Sequence, residues 1–146
     1  MNDVLVRNWN SRVAKNDMVI HLGDFAFKEA TEARKWLSLL NGHITLLKGN
    51  HDCNNSINTR ILSLIVEIAH NHVYCNHFPR YFNNDYEINL VGHVHDLWKI
   101  RKVGRSYLVN VGVDVWDFAP VSINEILNAL KDFKKGYQGI KKLVGD

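Results

Sequence analysis

Residues 18–52 constrain the fold more than any other stretch, because they read as strand, helix, strand. Met18-Val19-Ile20-His21-Leu22 is a short apolar run closed by Gly23-Asp24. Ile44-Thr45-Leu46-Leu47 is a second, closed by Lys48-Gly49-Asn50-His51-Asp52. A β-branched and leucine run that stops at glycine reads as a buried strand ending in a tight turn. Between the two, Ala30, Ala33, Trp36, Leu37 and Leu40 recur at three- and four-residue spacing, which predicts a helix over 28–40 with Asn41-Gly42 as its stop. The whole is a βαβ unit whose parallel strands deliver polar residues at one sheet edge. An open α/β sheet places its site at that edge.

The flanking segments extend the pattern. Val4, Leu5, Trp9 and Val13 fall near one face of an opening helix over 3–14. Ile57, Ile61, Leu62, Leu64 and Ile65 predict a short helix over 57–65. Val66 and Ile68, then Val73 and Cys75, predict two strands around a turn at His70-Asn71-His72. The second of these ends in Asn76-His77-Phe78-Pro79, where proline stops the pairing. Ile88-Asn89-Leu90-Val91 is a further strand that runs into Gly92-His93-Val94-His95. Residues 99–103 and 106–113 read as two strands joined at Gly104-Arg105. Ser122 and Glu125 have the spacing of a capping box, so a helix is expected from about 123 to about 134. The basic tail from Lys134, with Gly136 and Gly139, reads as a loosely packed end. No repeat or linker divides the 146 residues, which are expected to form a single domain.

Composition narrows the class of protein. No apolar run approaches the roughly 18 residues of a membrane span. Met1-Asn2-Asp3-Val4-Leu5-Val6-Arg7 lacks the basic start and long apolar core of a secretory signal, so the expected location is the cytoplasm. Two cysteines, Cys53 and Cys75, are too few for a disulfide framework. A formal net charge of +3 suits an anionic substrate without marking a nucleic-acid stripe.

The chemistry lies where the strands end. Four of them close on metal-ligand types: Asp24, Asn50-His51, His77, and His93 with His95. Imidazole and carboxylate suit first-row divalent ions, a carboxylate can bridge two of them, and neutral Asn adds no charge that would repel an anion. Two ions about 4 Å apart hold a shared hydroxide and both ends of an in-line displacement, which is a hydrolytic site for a phosphate ester.

In order and spacing, Gly23-Asp24, Gly49-Asn50-His51-Asp52, His77 before Pro79, and Gly92-His93-Val94-His95 resemble the calcineurin-like metallophosphoesterases, most nearly the small single-domain bacterial and phage type. His21–Phe25 and Asn110–Trp116 are similar to that subgroup as well. The resemblance implies a four-layer α/β/β/α sandwich. It implies that Asp24 bridges two metals, that Asn50, His77 and His93 complete the second metal, and that His95 serves the first. It implies catalytic roles for His51, facing the phosphoryl group, and for Asp52, orienting His51. The implied cofactor is a pair of divalent ions, Mn²⁺ first, with Fe, Zn and Ni as other candidates. The implied reaction is attack of a metal-bound hydroxide on a phosphomonoester or phosphodiester, with nucleic acid only as a substrate and no membrane partner.

The chain departs from the family at its start, where an Asp-x-His motif on a first strand supplies two ligands to the first metal. No such motif stands here, and Met1 falls where the family's first helix begins. The expectation is an N-terminally shortened domain whose first strand is missing, whose first metal keeps only Asp24 and His95, and whose exposed sheet edge offers a route to oligomers. The alternative function is an impaired remnant that binds one metal or a protein partner without turnover. Beside these readings stand plainer ones. Asp24, Asn50 and Asp52 are also turn formers, and His77 and His93 also suit a core. His43, His70 and His72 read as surface residues, His21 as packing, Cys53 and Cys75 as small buried residues, and Tyr81, Trp98 and Trp116 as core or rim.

Overall fold

In a computed structural model, residues 2–26, 30–54 and 57–144 are described. Helix α1 (Asn2–Arg12) leads into β1 (Met18–His21), α2 (Ala30–Ser38) and β2 (His43–Leu46). Strands β3 (Ser63–Ile68), β4 (Asn71–Asn76), β5 (Ile88–Val91), β6 (Ile100–Val103) and β7 (Ser106–Asn110) follow, and α3 (Ile123–Val144) closes the chain. The expected start of the second helix, at Lys28 and Glu29, lies outside the described residues.

Two sheets form. β1 pairs in parallel with β2, Met18 opposite His43 and His21 opposite Leu46. The second sheet has the order β3-β4-β5-β7-β6. Its central pairs, β4 with β5 and β5 with β7, are parallel, and its outer pairs are antiparallel. With helices on both sides this is the expected α/β/β/α type, the first sheet being reduced to two strands. Among the described residues no strand pairs with the edge of β1 opposite β2. A groove of about 1260 Å³ opens there, between β1 and Trp9 on one side and Leu90, Val111 and Ile126 on the other.

One apolar core joins the sheets to α3 through Leu22, Leu47, Val73, Leu90, Val109 and Leu130. Cys75 is fully buried in it, and burial pushes its thiol up to about 12, so it stays protonated and inert. Trp116 also belongs to the core, its indole N–H donating to the Asn110 carbonyl at 2.7 Å. The side chain of Cys53 lies outside the described residues.

Three expectations are corrected. Residues 57–65 are not a helix: Ile61 bridges to Leu47, and β3 begins at Ser63. The run alternates exposed and half-buried positions as a strand on β4, with Ile65 turned outward and Leu64 and Val66 inward. Short apolar runs fit both periods, and here pairing with β4 prevails. The hairpin turn sits at Ala69-His70 rather than 70–72. Both residues have positive φ (47° and 64°), as a two-residue type I′ turn requires. The tail is not loose either, because α3 continues to Val144 through Gly136 and Gly139. Phe133 meets Tyr107 edge-on, Tyr137 stacks on Phe133, and Lys134 pairs with Glu87 at 2.5 Å, contacts that carry the helix past its glycines.

At its start α3 has the expected capping box. Glu125 accepts the Ser122 N–H at 2.8 Å, and the Ser122 hydroxyl accepts the Glu125 N–H at 3.3 Å. The same Glu125 takes the Arg12 guanidinium at 2.8 Å and so ties α1 to α3.

Candidate metal centre

β1, β2, β4 and β5 are all parallel within their sheets, so each carries its last residues toward one end of the sandwich. The loops that leave them meet. Gly23 and Gly49 make the meeting possible. A Cβ on Gly23, at φ +104°, would stand 2.5 Å from the Gly49 nitrogen, and one on Gly49 would stand 2.1 Å from Asp24 Oδ1. Only glycines let the two loops cross this closely.

Asp52, 6 % exposed, locks the crossing. Its Oδ2 accepts the N–H of Asp24 at 2.7 Å and of Gly49 at 2.8 Å, and its Oδ1 accepts the Phe25 N–H at 3.1 Å. The expected task of Asp52 was to orient His51. These bonds show that its carboxylate also binds the loop of one strand to the loop of the other.

Four donor atoms converge on the crossing. His77 Nε2 lies 3.0 Å from Asn50 Oδ1 and 3.2 Å from Asp24 Oδ2. His93 Nδ1 lies 3.0 Å from the same Asn50 oxygen. Ligand atoms of Asp24, His77 and His93 all lie within 4.8 Å of one another. Donors about 3.0 Å apart are what an octahedral ion with bonds of about 2.1 Å requires.

The tautomer of His77 tests the fit. Its Nδ1 faces the Leu22 carbonyl at 2.8 Å, and a carbonyl only accepts, so Nδ1 carries the hydrogen. Nε2 is then directed at Asp24 Oδ2 and Asn50 Oδ1, and an imidazole nitrogen beside a carboxylate and an amide oxygen is a donor set that suits a divalent ion. His93 is held below its usual pKa, first by burial and then by the charges of His77, His95 and Arg80, against the pull of Asp24. Neutral imidazole is the form that binds a metal.

Asp24, His93 and His95 all have positive φ, at 56°, 69° and 48°. Such backbone is uncommon outside glycine and gathers at functional sites. His95 stands apart from the cluster of three. Its Nδ1 meets Asp114 Oδ2 at 3.4 Å, and both side chains line the groove beside β1 together with Asp24. His51 is exposed at the rim, and its backbone N–H donates to Asp24 Oδ1 at 2.8 Å. His21 lines the same groove, edge-on to Phe25, with Nδ1 accepting the Gly23 N–H at 3.3 Å. Burial lowers its pKa to about 4, so it is neutral. His43, His70 and His72 are exposed, away from the centre.

The sequence reading gave no role to two residues that shape the site. Asn110 is fully buried. Its amide donates to the carbonyls of His95 at 2.7 Å and Trp98 at 2.9 Å, and its Oδ1 accepts the Gly112 N–H at 2.9 Å. It therefore holds the loop that carries His95. Asn76 accepts the Phe78 N–H at 2.8 Å and so shapes the turn after His77. A polar residue ending an apolar strand was the available signal for both.

The fold and this cluster define a metal-binding α/β domain with its ligands at the carboxyl ends of parallel strands. The calcineurin-like phosphoesterase family matches residues 3–139, and the chain belongs to that family. Metal-dependent phosphoester hydrolysis is the general activity of the family. The chain is 28% identical over 155 residues to an uncharacterised protein of Methanocaldococcus jannaschii, covering 92% of this chain and 77% of the relative. Its fold is similar to that of a protein of unknown function from Aquifex aeolicus, with a TM-score of 0.67 and 23% identity over 88% of this chain and 84% of the other. It is also similar to Vps29 from Entamoeba histolytica complexed with zinc, with a TM-score of 0.51 and 18% identity over 77% of this chain and 64% of the other.

Proposed function

We propose that this domain hydrolyses a phosphate ester at a divalent ion, Mn²⁺ in the first place, held by Asp24, Asn50, His77 and His93. The observation that carries the reading is the convergence of His77 Nε2 with Asn50 Oδ1 and Asp24 Oδ2, at 3.0 and 3.2 Å. A bound divalent ion supplies Lewis-acid polarisation of a phosphoryl oxygen and activation of water. The protein's own residues do the rest. Asn50 contributes a neutral donor, so the site keeps its attraction for an anion. His51, exposed beside the cluster, stabilises the phosphoryl charge or protonates the departing oxygen. Asp52 fixes the loops that carry Asp24 and Asn50. No helix among the described residues is long and apolar enough to cross a membrane.

A second reading, a one-metal remnant without turnover, is favoured by a specific observation. Among the described residues His95 pairs with Asp114 and does not join the cluster of Asp24, His77 and His93. Metal analysis together with hydrolysis of bis(p-nitrophenyl) phosphate separates the two. Mn²⁺-stimulated turnover, abolished by Asp24→Ala, supports the enzyme, and near two ions per chain supports it further. One ion without turnover supports the remnant. A purified protein that takes up no divalent ion overturns both.

A further inference from the structure

Among the described residues, a cation that no carboxylate neutralises stands beside the metal centre. The short turn Pro79–Tyr81 follows directly on His77 and leaves Arg80 exposed. The Arg80 guanidinium lies over the Phe78 ring at 5.1 Å and over the Tyr81 ring at 4.7 Å. Phe78 in turn meets His77 edge-on at 4.7 Å and His93 at 4.9 Å. A chain of ring contacts thus runs from His77 and His93 to the guanidinium.

Three other cations pair with acids, while Lys99, Arg101 and Lys102 also lie over aromatic rings. Arg12 has Glu125 at 2.8 Å, Arg105 has Asp85 at 3.0 Å, and Lys134 has Glu87 at 2.5 Å. Among the described residues Arg80 contacts two aromatic rings and no acid. Contact with two rings and no acid leaves guanidinium N–H donors for an anion, and the planar fork matches a phosphate. The Phe78 ring contacts both that fork and the rings of His77 and His93, which suits the fork to the anionic group next to the one at the ion.

We propose that Arg80, held over the Phe78 and Tyr81 rings, is a specificity residue that binds a second phosphoryl group, so that the preferred substrate is a phosphoester carrying one phosphoryl group next to the scissile one. This rests on the phosphoesterase reading of the centre. The test is calorimetric titration of the Mn²⁺-loaded protein with orthophosphate and with pyrophosphate, for the wild type, Arg80→Met and Arg80→Lys. Methionine keeps an apolar stem on the rings without the charge. The wild type is expected to bind pyrophosphate about tenfold more tightly than orthophosphate, the size of one charge-assisted bidentate contact at an exposed site. Arg80→Met should remove that preference while leaving the orthophosphate affinity within about twofold and the metal content unchanged. Arg80→Lys should restore part of it. An unchanged preference in Arg80→Met at full metal content overturns the proposal and leaves the phosphoesterase reading standing. Failure of the metal-loaded wild type to bind either anion overturns that reading, and this inference with it.

Discussion

Asp52→Asn tests how the centre is built. In the native protein one carboxylate oxygen accepts two backbone N–H groups, from Asp24 and Gly49, and the other accepts one, from Phe25. Asparagine has the same shape but a single acceptor oxygen. Its best orientation keeps that oxygen on the Asp24 and Gly49 amides and turns its NH₂ against the Phe25 N–H. One buried donor then loses its acceptor, at about 1–3 kcal/mol, and two charge-assisted bonds become neutral ones, at roughly 0.5–1 kcal/mol each. The expected loss is about 2–5 kcal/mol of unfolding free energy. For a domain of this size that lowers Tm by roughly 7–16 °C. Because the same bonds set Asp24 against Asn50, affinity for Mn²⁺ should fall together with stability. Urea unfolding of the metal-free protein measures the first quantity, and metal titration measures the second. A variant with unchanged stability and metal affinity but slow turnover would refute the reasoning. It would return Asp52 to the sole task of orienting His51.

Three further outcomes are expected. His77→Ala removes the Nε2 donor and should weaken metal binding by about 100-fold or more, whereas His51→Ala should keep full metal content and lose about 10²–10³ in turnover; metal analysis beside a hydrolysis assay checks the division. Gly49→Ala puts a Cβ 2.1 Å from Asp24 Oδ1 and 2.4 Å from the Asp24 nitrogen, so a loop must move, with an expected cost on the order of 3 kcal/mol in urea unfolding and loss of the ion. Glu125 titrates at about 2 instead of 4.5, held down first by the Ser122 N–H, then by Arg12 and the Ser122 hydroxyl. Its folded pKa is depressed, so its contribution is present above 4.5 and is lost as pH falls through about 2. Stability of the wild type should therefore decline more steeply with acid over that window than stability of Glu125→Gln, as read from urea midpoints at successive pH values.

Much of the centre was legible in the residues before any coordinates. An apolar strand that ends in glycine and then a ligand type announces a site at a sheet edge. Asp24, Asn50, His77 and His93 were all named from such endings, and the structure gathers these four. The capping box at Ser122 and Glu125 was legible because its bonds span only three residues. The misread segments depended on partners distant in the chain. Residues 57–65 fit a helix until β4 is present to pair with them. The tail of α3 reads as loose until Tyr107 and Glu87 are present to receive Phe133 and Lys134.

Sequence alone determined which residue types stand at the strand ends, the βαβ order that makes those ends coincide, and the family resemblance their spacing carries. Tertiary structure alone decided what each residue touches. It set Asp52 across two loops, paired His95 with Asp114, fixed the tautomer of His77 through the Leu22 carbonyl, and left Arg80 over the Phe78 and Tyr81 rings. These are contacts between segments tens of residues apart. Their hydrogen-bond directions and unpaired charges exist only once the two sheets have packed, because nothing local to either strand specifies the distance or angle at which the other will arrive.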